Sequence, residues 1–263
     1  MSLRVAVCVA AVPNPDKVKW DRFRQLLDLQ DAELVLNQAD RCALELAAQF
    51  SKASGTTFDA YSAGAGATNA LREAAVFGAE RLVAVDDPSL ADADAAQIAS
   101  VLAAAIAKNG GADLVLCGAA TASFGSGAVP GFLSIFLDAG LSADVVGVEP
   151  HGGSVAVTSI NGPMLARAAA ALPLVVSAAP YGIKTRAVSP ILLMRASKKP
   201  VELLSASDLS DARAGLSAAP AIGAADGPLE SNRKRRLNEV IDGDDPPARA
   251  ITLASALRER HLV

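Results

Sequence analysis

Four apolar residues, Leu114-Val-Leu-Cys117, run without polar interruption into Gly118 and a loop of mostly small side chains. A short continuous apolar run suits a parallel strand covered on both faces; a half-exposed strand would alternate instead. The loop carries Gly118, Gly125 and Gly127, where a backbone can approach a ligand closely. Ser126 reads as a helix N-cap, and Pro130 falls in the first turn of a helix expected to continue over 131–138. Strand, glycine loop and helix start leave free N–H groups at the positive end of a helix dipole, a seat for a phosphate. The same pattern also serves as a plain tight connection, so the rest of the chain has to decide.

Strand and helix patterns alternate through the first two-thirds. Strands are expected over 3–11, 34–36, 58–62 and 81–85, and helices over 40–51, 69–77 and 94–108. Repeated βαβ order predicts an α/β fold, a Rossmann-like parallel sheet with helices on both faces. Further strands are expected over 144–148, 154–160 and 172–177, with a hairpin at Asn161-Gly162. Leu165 to Ala171 reads equally well as a helix. Past Lys198-Lys-Pro200 the composition shifts, and 205–245 is rich in Ala, Gly, Asp, Ser and Pro. The expected organisation is a core over 1–200 and an extended C-terminal arm over 201–263, with helical periodicity from Ile251 to Leu262.

Charge and composition narrow the function. A net charge of −4 and a pI near 5.3 argue against nucleic acid as the main partner. Arg233-Lys-Arg-Arg236 reads as a solvated face or a protein contact. No apolar run approaches the roughly 20 residues needed to span a bilayer, so no transmembrane segment is expected. Val5 to Val12 reads as a first strand, ended by Pro13-Asn-Pro15, rather than a signal peptide. Cys8, Cys42 and Cys117 show no C-x-x-C spacing, which suits reduced apolar filler in a cytoplasmic protein. With only His151 and His261 besides, neither a metal site nor a catalytic triad is expected.

Several segments, in order, resemble the β subunit of electron transfer flavoprotein. Val5 to Asp16, with its V-P-N-P turn, is similar to the family's opening strand and V-P-(D/N)-P. Asn37-Gln-Ala-Asp40 and the helix after it resemble N-P-F-D/C-E-x-A-x-E-E-A. Ser62-Ala-Gly64 with Leu71 to Arg81 is similar to S-x-G-P followed by L-R-x-A-L-A-M-G-A-D-R. Ala112 to Gly118 matches x-D-L-V-L-x-G, and Leu172-Pro-Leu-Val-Val-Ser177 matches L-P-A-V-V-T. Pro190 to Pro200 resembles P-N-I-M-K-A-K-K-K-P, and Asp245-Pro-Pro247 resembles a late E-(D/E)-P-P.

The resemblance implies an adenine-nucleotide alpha-hydrolase-like core and a heterodimer whose α subunit holds most of an FAD. Such a carrier takes electrons from a flavin dehydrogenase, here a dedicated one, and has no catalytic residue of its own, because the flavin supplies the redox chemistry. The β cleft of this family holds AMP or a second FAD. Carried over residue by residue, that nucleotide would contact Cys8, Asn37, Gln38, Ala39, Asp40, Ala63, Gly118, Ser123, Gly125, Ser126, Gly127, Ala128 and Val129. Where the family presents a leucine that anchors partner dehydrogenases, this chain has Val188, Ser189, Pro190 and Ile191. Arg186, Arg195, Lys198 and Lys199 nearby would steer acidic partner surfaces. The other reading of the architecture is a nucleotide-binding regulatory module of the universal-stress type.

Overall fold

A computed structural model describes residues 3–21, 23, 26–91, 93–123, 125–205, 207–209, 240–241 and 245–260. In chain order, β1 (Val5–Cys8) is followed by β2 (Ala11–Pro13), β3 (Lys19–Asp21), β4 (Leu26–Asp28) and β5 (Leu34–Leu36). Helices and strands then alternate: α1 (Gln38–Ser54), β6 (Phe58–Ala63), α2 (Ala67–Val76), β7 (Leu82–Val85), α3 (Ala95–Lys108), β8 (Leu114–Gly118) and α4 (Val129–Phe136). Next come β9 (Gly140–His151), β10 (Ser154–Asn161), β11 (Met164–Ala170), β12 (Leu174–Ala178), α5 (Pro190–Ala196), β13 (Glu202–Leu204) and a terminal helix, α6 (Pro246–Glu259).

The described residues build a nine-stranded sheet in the order β11-β10-β9-β12-β8-β1-β6-β7-β13. Every pair from β9 to β13 is parallel, and β10 and β11 extend the sheet antiparallel. From β1 the chain steps to β6 and β7 on one side, then returns through α3 to β8 on the other. The strand order therefore reverses between β1 and β8. In open α/β sheets the crevice at the carboxyl ends of two such strands is the ordinary place for a ligand.

Side chains alternate across the sheet and fill two cores. Val5, Val7, Leu114, Leu116, Leu174 and Val176 face one layer with α1 and α2. Ala6, Cys8, Val115, Cys117 and Val175 face the other with α3 and α4. Helix α1 buries Cys42, Leu46 and Phe50 with Ala43 and Ala47 between them, so a narrow small-residue stripe lets the helix lie close to the strands. The alanines of α3 act in the same way. This is the Rossmann-like layering that the alternating pattern predicts.

The expected strand over 3–11 is shorter in the structure. It stops at Cys8, because the Ala10 N–H turns to the Asp40 carboxylate at 2.8 Å. Ala11–Pro13 then pairs with β5 in a separate two-stranded sheet, and that strand ends at Pro13. The reading of Leu165 to Ala171 as a helix is overturned: Asn161-Gly162 turns the chain and 164–170 pairs with β10. Ser126 is not the cap of α4; that place falls to Ala128, with no side-chain cap. The short pair β3–β4, helix α5 and strand β13 had no counterpart in the sequence reading.

The chain divides into two compact units, residues 1–226 and 227–263. In the first, Glu202–Leu204 pairs with β7, and Leu209 is fully buried in the second core, so the chain just past Pro200 lies on the sheet. In the second, α6 exposes Ile251 and Leu253. Most of the stretch read as an extended arm, and the cluster Arg233 to Arg236, lie outside the described residues. Among the described residues no helix is long and apolar enough to cross a membrane.

Candidate functional site

The cleft opens at the carboxyl ends of β1 and β8, where the strand order reverses. It holds about 520 Å³ of open space, its solvent side included. Cys8 and Cys117 form its floor, Ala63 of β6 one side, and Ile98 with Leu102 of α3 an apolar wall. The loop Gly118 to Thr121 and the run Ser126 to Pro130 close the other side. Ile98 and Leu102 are four apart and so share one helix face.

Asp40 joins the two strand ends. It lies in the first turn of α1 and is buried at 5% exposure. One carboxylate oxygen accepts the Ala10 N–H and the other the Gly118 N–H, both at 2.8 Å. Burial pushes its pKa up to about 6, against the pull of these hydrogen bonds and of Asn37. Only glycine fits at 118. A Cβ there would sit 2.3 Å from Asp40 Oδ1 and 2.7 Å from the Ala39 Cβ, so α1 would have to retreat.

Asn37 holds the loop from behind. Its Nδ2 donates to the Ala120 carbonyl at 3.0 Å, and its Oδ1 accepts the Ala122 N–H at 3.2 Å. The Ala119 N–H is fixed to the Ala178 carbonyl of β12 at 3.0 Å. The loop is thus pinned by α1 on one side and the sheet on the other before any ligand arrives.

Burial, with Asp40 beside them, raises the pKa of both Cys8 and Cys117, so these thiols stay neutral and are poor nucleophiles. Among the described lining residues none is basic, and the described residues hold no cluster of three metal-ligating side chains. The polar atoms left to meet a ligand are backbone N–H groups, the hydroxyls of Thr121 and Ser126, and the start of α4, which no side chain caps. That donor set suits one phosphate.

Of the expected site residues, the structure brings Cys8, Asp40, Ala63, Gly118, Ser126, Gly127, Ala128 and Val129 together around the cleft. Asn37 lies behind the loop, and Ala39 packs against Gly118. Gln38 turns to Arg41, with its Oε1 accepting from Nη1 at 3.4 Å. Ser123 and Gly125 are in the loop but away from the lining. Val9, Ala10, Ile98 and Leu102 line the cleft and were not singled out in the sequence. The helical spacing of Ile98 and Leu102 was a signal, yet only the topology shows which face of α3 looks inward.

The expected docking residues separate. Val188 packs against the first core. Ser189 caps α5, its Oγ accepting the Leu192 N–H at 3.3 Å, Pro190 opens that helix, and Ile191 projects from it.

No curated protein gave a match to this chain. A family model described as electron transfer flavoprotein domain matches residues 26–209, well over half of the sequence. The matched span runs from β4 to the buried Leu209, taking in α1, the loop after β8 and α5. Because that model covers well over half of the sequence, the chain belongs to the electron transfer flavoprotein domain family.

Proposed function

We propose that this chain is the β-type subunit of a two-chain electron transfer flavoprotein, and that its cleft holds an adenosine monophosphate unit, free or as half of an FAD. Membership of the family gives the general role, electron carriage of the flavoprotein type rather than catalysis. The observation that carries the finer reading is the cleft at the reversal between β1 and β8. Its donors suit one phosphate, and its Ile98–Leu102 wall suits a flat apolar ring. Thr121, Ser126 and the amides at the start of α4 would hold the phosphate, and Asp40 and Asn37 keep the loop in place. A bound flavin supplies the electron-accepting chemistry; the residues here bind, orient and exclude water.

Two further features support a second chain. β11 is exposed along nearly its whole length, is rich in alanine, and carries one charge, Arg167, already paired with Glu149. An open sheet edge of this kind is a template for a partner. The chain past Leu209, ending in α6, serves as the arm that embraces that partner. The electron donor is a dedicated flavin dehydrogenase, and three free, buried cysteines fit a cytoplasmic setting.

Mass spectrometry of small molecules released from the complex, purified with its flavin-bearing companion, tests the reading. Near-stoichiometric AMP beyond the flavin is expected, or two FAD per complex if the cleft takes the larger molecule. A complex that releases one FAD and no further adenine nucleotide refutes the cleft assignment.

A further inference from the structure

The floor of the cleft carries two thiols side by side. β1 and β8 pair parallel and in register up to Val7 and Leu116, so Cys8 and Cys117 are the next neighbours across the two strands. Both leave the sheet on the face of the second core, and both line the cleft. Side chains that leave neighbouring strands on one face start about 4.8 Å apart. On their other sides the two cysteines have Tyr61 of β6 and Ser177 of β12, each buried. The row across the four strand ends therefore reads hydroxyl, thiol, thiol, hydroxyl.

A phosphate seat makes no use of these thiols. Both are free and 3% exposed, and burial keeps them protonated. The Asp40 carboxylate, whose charge both feel, is spent on the Ala10 and Gly118 N–H groups. Among the described residues no three His, Cys, Asp or Glu side chains are grouped to hold a metal ion, so a four-ligand site of the kind zinc takes is not built. An ion held between Cys8 and Cys117 has two sulfurs to satisfy it, and soft ions are the ones that prefer thiolates. A metal–thiolate bond is about 2.3 Å long, so a straight S–M–S unit spans roughly 4.6 Å, close to the spacing of the strands. Charge narrows the choice further. Each thiol gives up its proton on binding. A divalent ion then leaves the pair neutral, whereas a monovalent ion leaves an anion buried beside Asp40.

We propose that Cys8 and Cys117 form a clamp for a soft, linearly coordinated divalent cation of the mercuric type at the floor of the cleft. The ion enters through the open side of the cleft. Two S–H bonds break, two S–Hg bonds form, both protons pass to solvent, and no electron changes hands. Cys42, the third thiol, is fully buried in the first core and takes no part. The clamp belongs to the two strand ends and does not rest on the identity of the nucleotide in the cleft.

The test uses the full chain, freed of added thiols and titrated with mercuric chloride. One ion per chain is expected, without crosslinked chains, and X-ray absorption of the loaded chain should show two sulfurs at about 2.3 Å. Cys42→Ser should load in the same way, and there both cysteine sulfurs can come only from Cys8 and Cys117. Cys42→Ala repeats that measurement with an apolar side chain suited to a core position. Against glutathione as competitor, Cys8→Ser and Cys117→Ser should each weaken retention of the ion about 100-fold, the loss of a second thiol already in place. A single sulfur on the ion in the unaltered chain overturns the clamp, and so does loading that both Cys42 variants abolish. Retention indifferent to Cys8→Ser and Cys117→Ser overturns it as well. Because the sulfur count is read on the unaltered chain, it stands even where a variant does not fold.

Discussion

Asp40 is the residue on which the cleft turns. Its carboxylate satisfies two backbone N–H groups that would otherwise end their strands unpaired, yet burial makes its charge costly. The folded-state pKa of about 6 lies above the ordinary carboxylate value, so the native state binds this proton more tightly than the unfolded chain. The stability Asp40 contributes through that proton is fully present below about pH 4 and is lost as pH rises through about 6. The charged or titratable neighbours are the thiols of Cys8 and Cys117, both neutral in this range. Asp40→Asn should remove this slope between pH 4 and 6. The amide would also set an NH₂ against one of the two N–H groups, at a cost of about 1–3 kcal/mol. Urea unfolding at several pH values measures both effects; an unchanged slope would mean that the charge is not confined as described.

At the scale of elements, helix ends show what holds this fold. Helix α3 starts with a capping box: Asp94 accepts the Gln97 N–H at 2.8 Å, and the Gln97 side chain accepts the Asp94 N–H at 3.0 Å. Its inner face supplies the Ile98 and Leu102 wall, so fraying there would loosen the cleft. Asp94→Ala should cost about 1 kcal/mol, read as a lower midpoint in urea with an unchanged slope. A loss near zero would show that tertiary packing alone sets the start of α3. By contrast α4 begins at the lining of the cleft with no side-chain cap, where the phosphate proposed above would meet its first amides. The long helices and the buried strands were legible because their apolar periodicity is strong. The hairpin β10–β11 was half legible: Asn161-Gly162 marked its turn, but an alanine-rich strand lacks the branched side chains that tell strand from helix. Helix α5 was not legible, since Ser189-Pro190 reads as a loop until the Arg186–Glu45 ion pair and the face of α2 give it a place.

For the whole molecule, the sheet and its two cores lie in one unit and α6 in another. Because β13 belongs to the sheet and Leu209 to the second core, a cut after Leu209 is the clean way to remove the arm. The shortened chain should keep the cooperative unfolding of the full one and fail to form the two-chain complex in gel filtration. Normal assembly would take from the arm the role proposed for it. The sequence alone determined the βαβ order, the buried strand Leu114–Cys117 and the small-residue loop after it, because local periodicity and glycine chemistry are written in neighbouring residues. Only the tertiary structure decided that β1 ends at Cys8, that Asn37 and Asp40 hydrogen-bond Gly118 and the loop after it, and that Ile191 and Met194 are exposed. Each of these depends on partners 30 to 141 positions away in the chain, or on which helix face a neighbour covers. No local pattern carries that information.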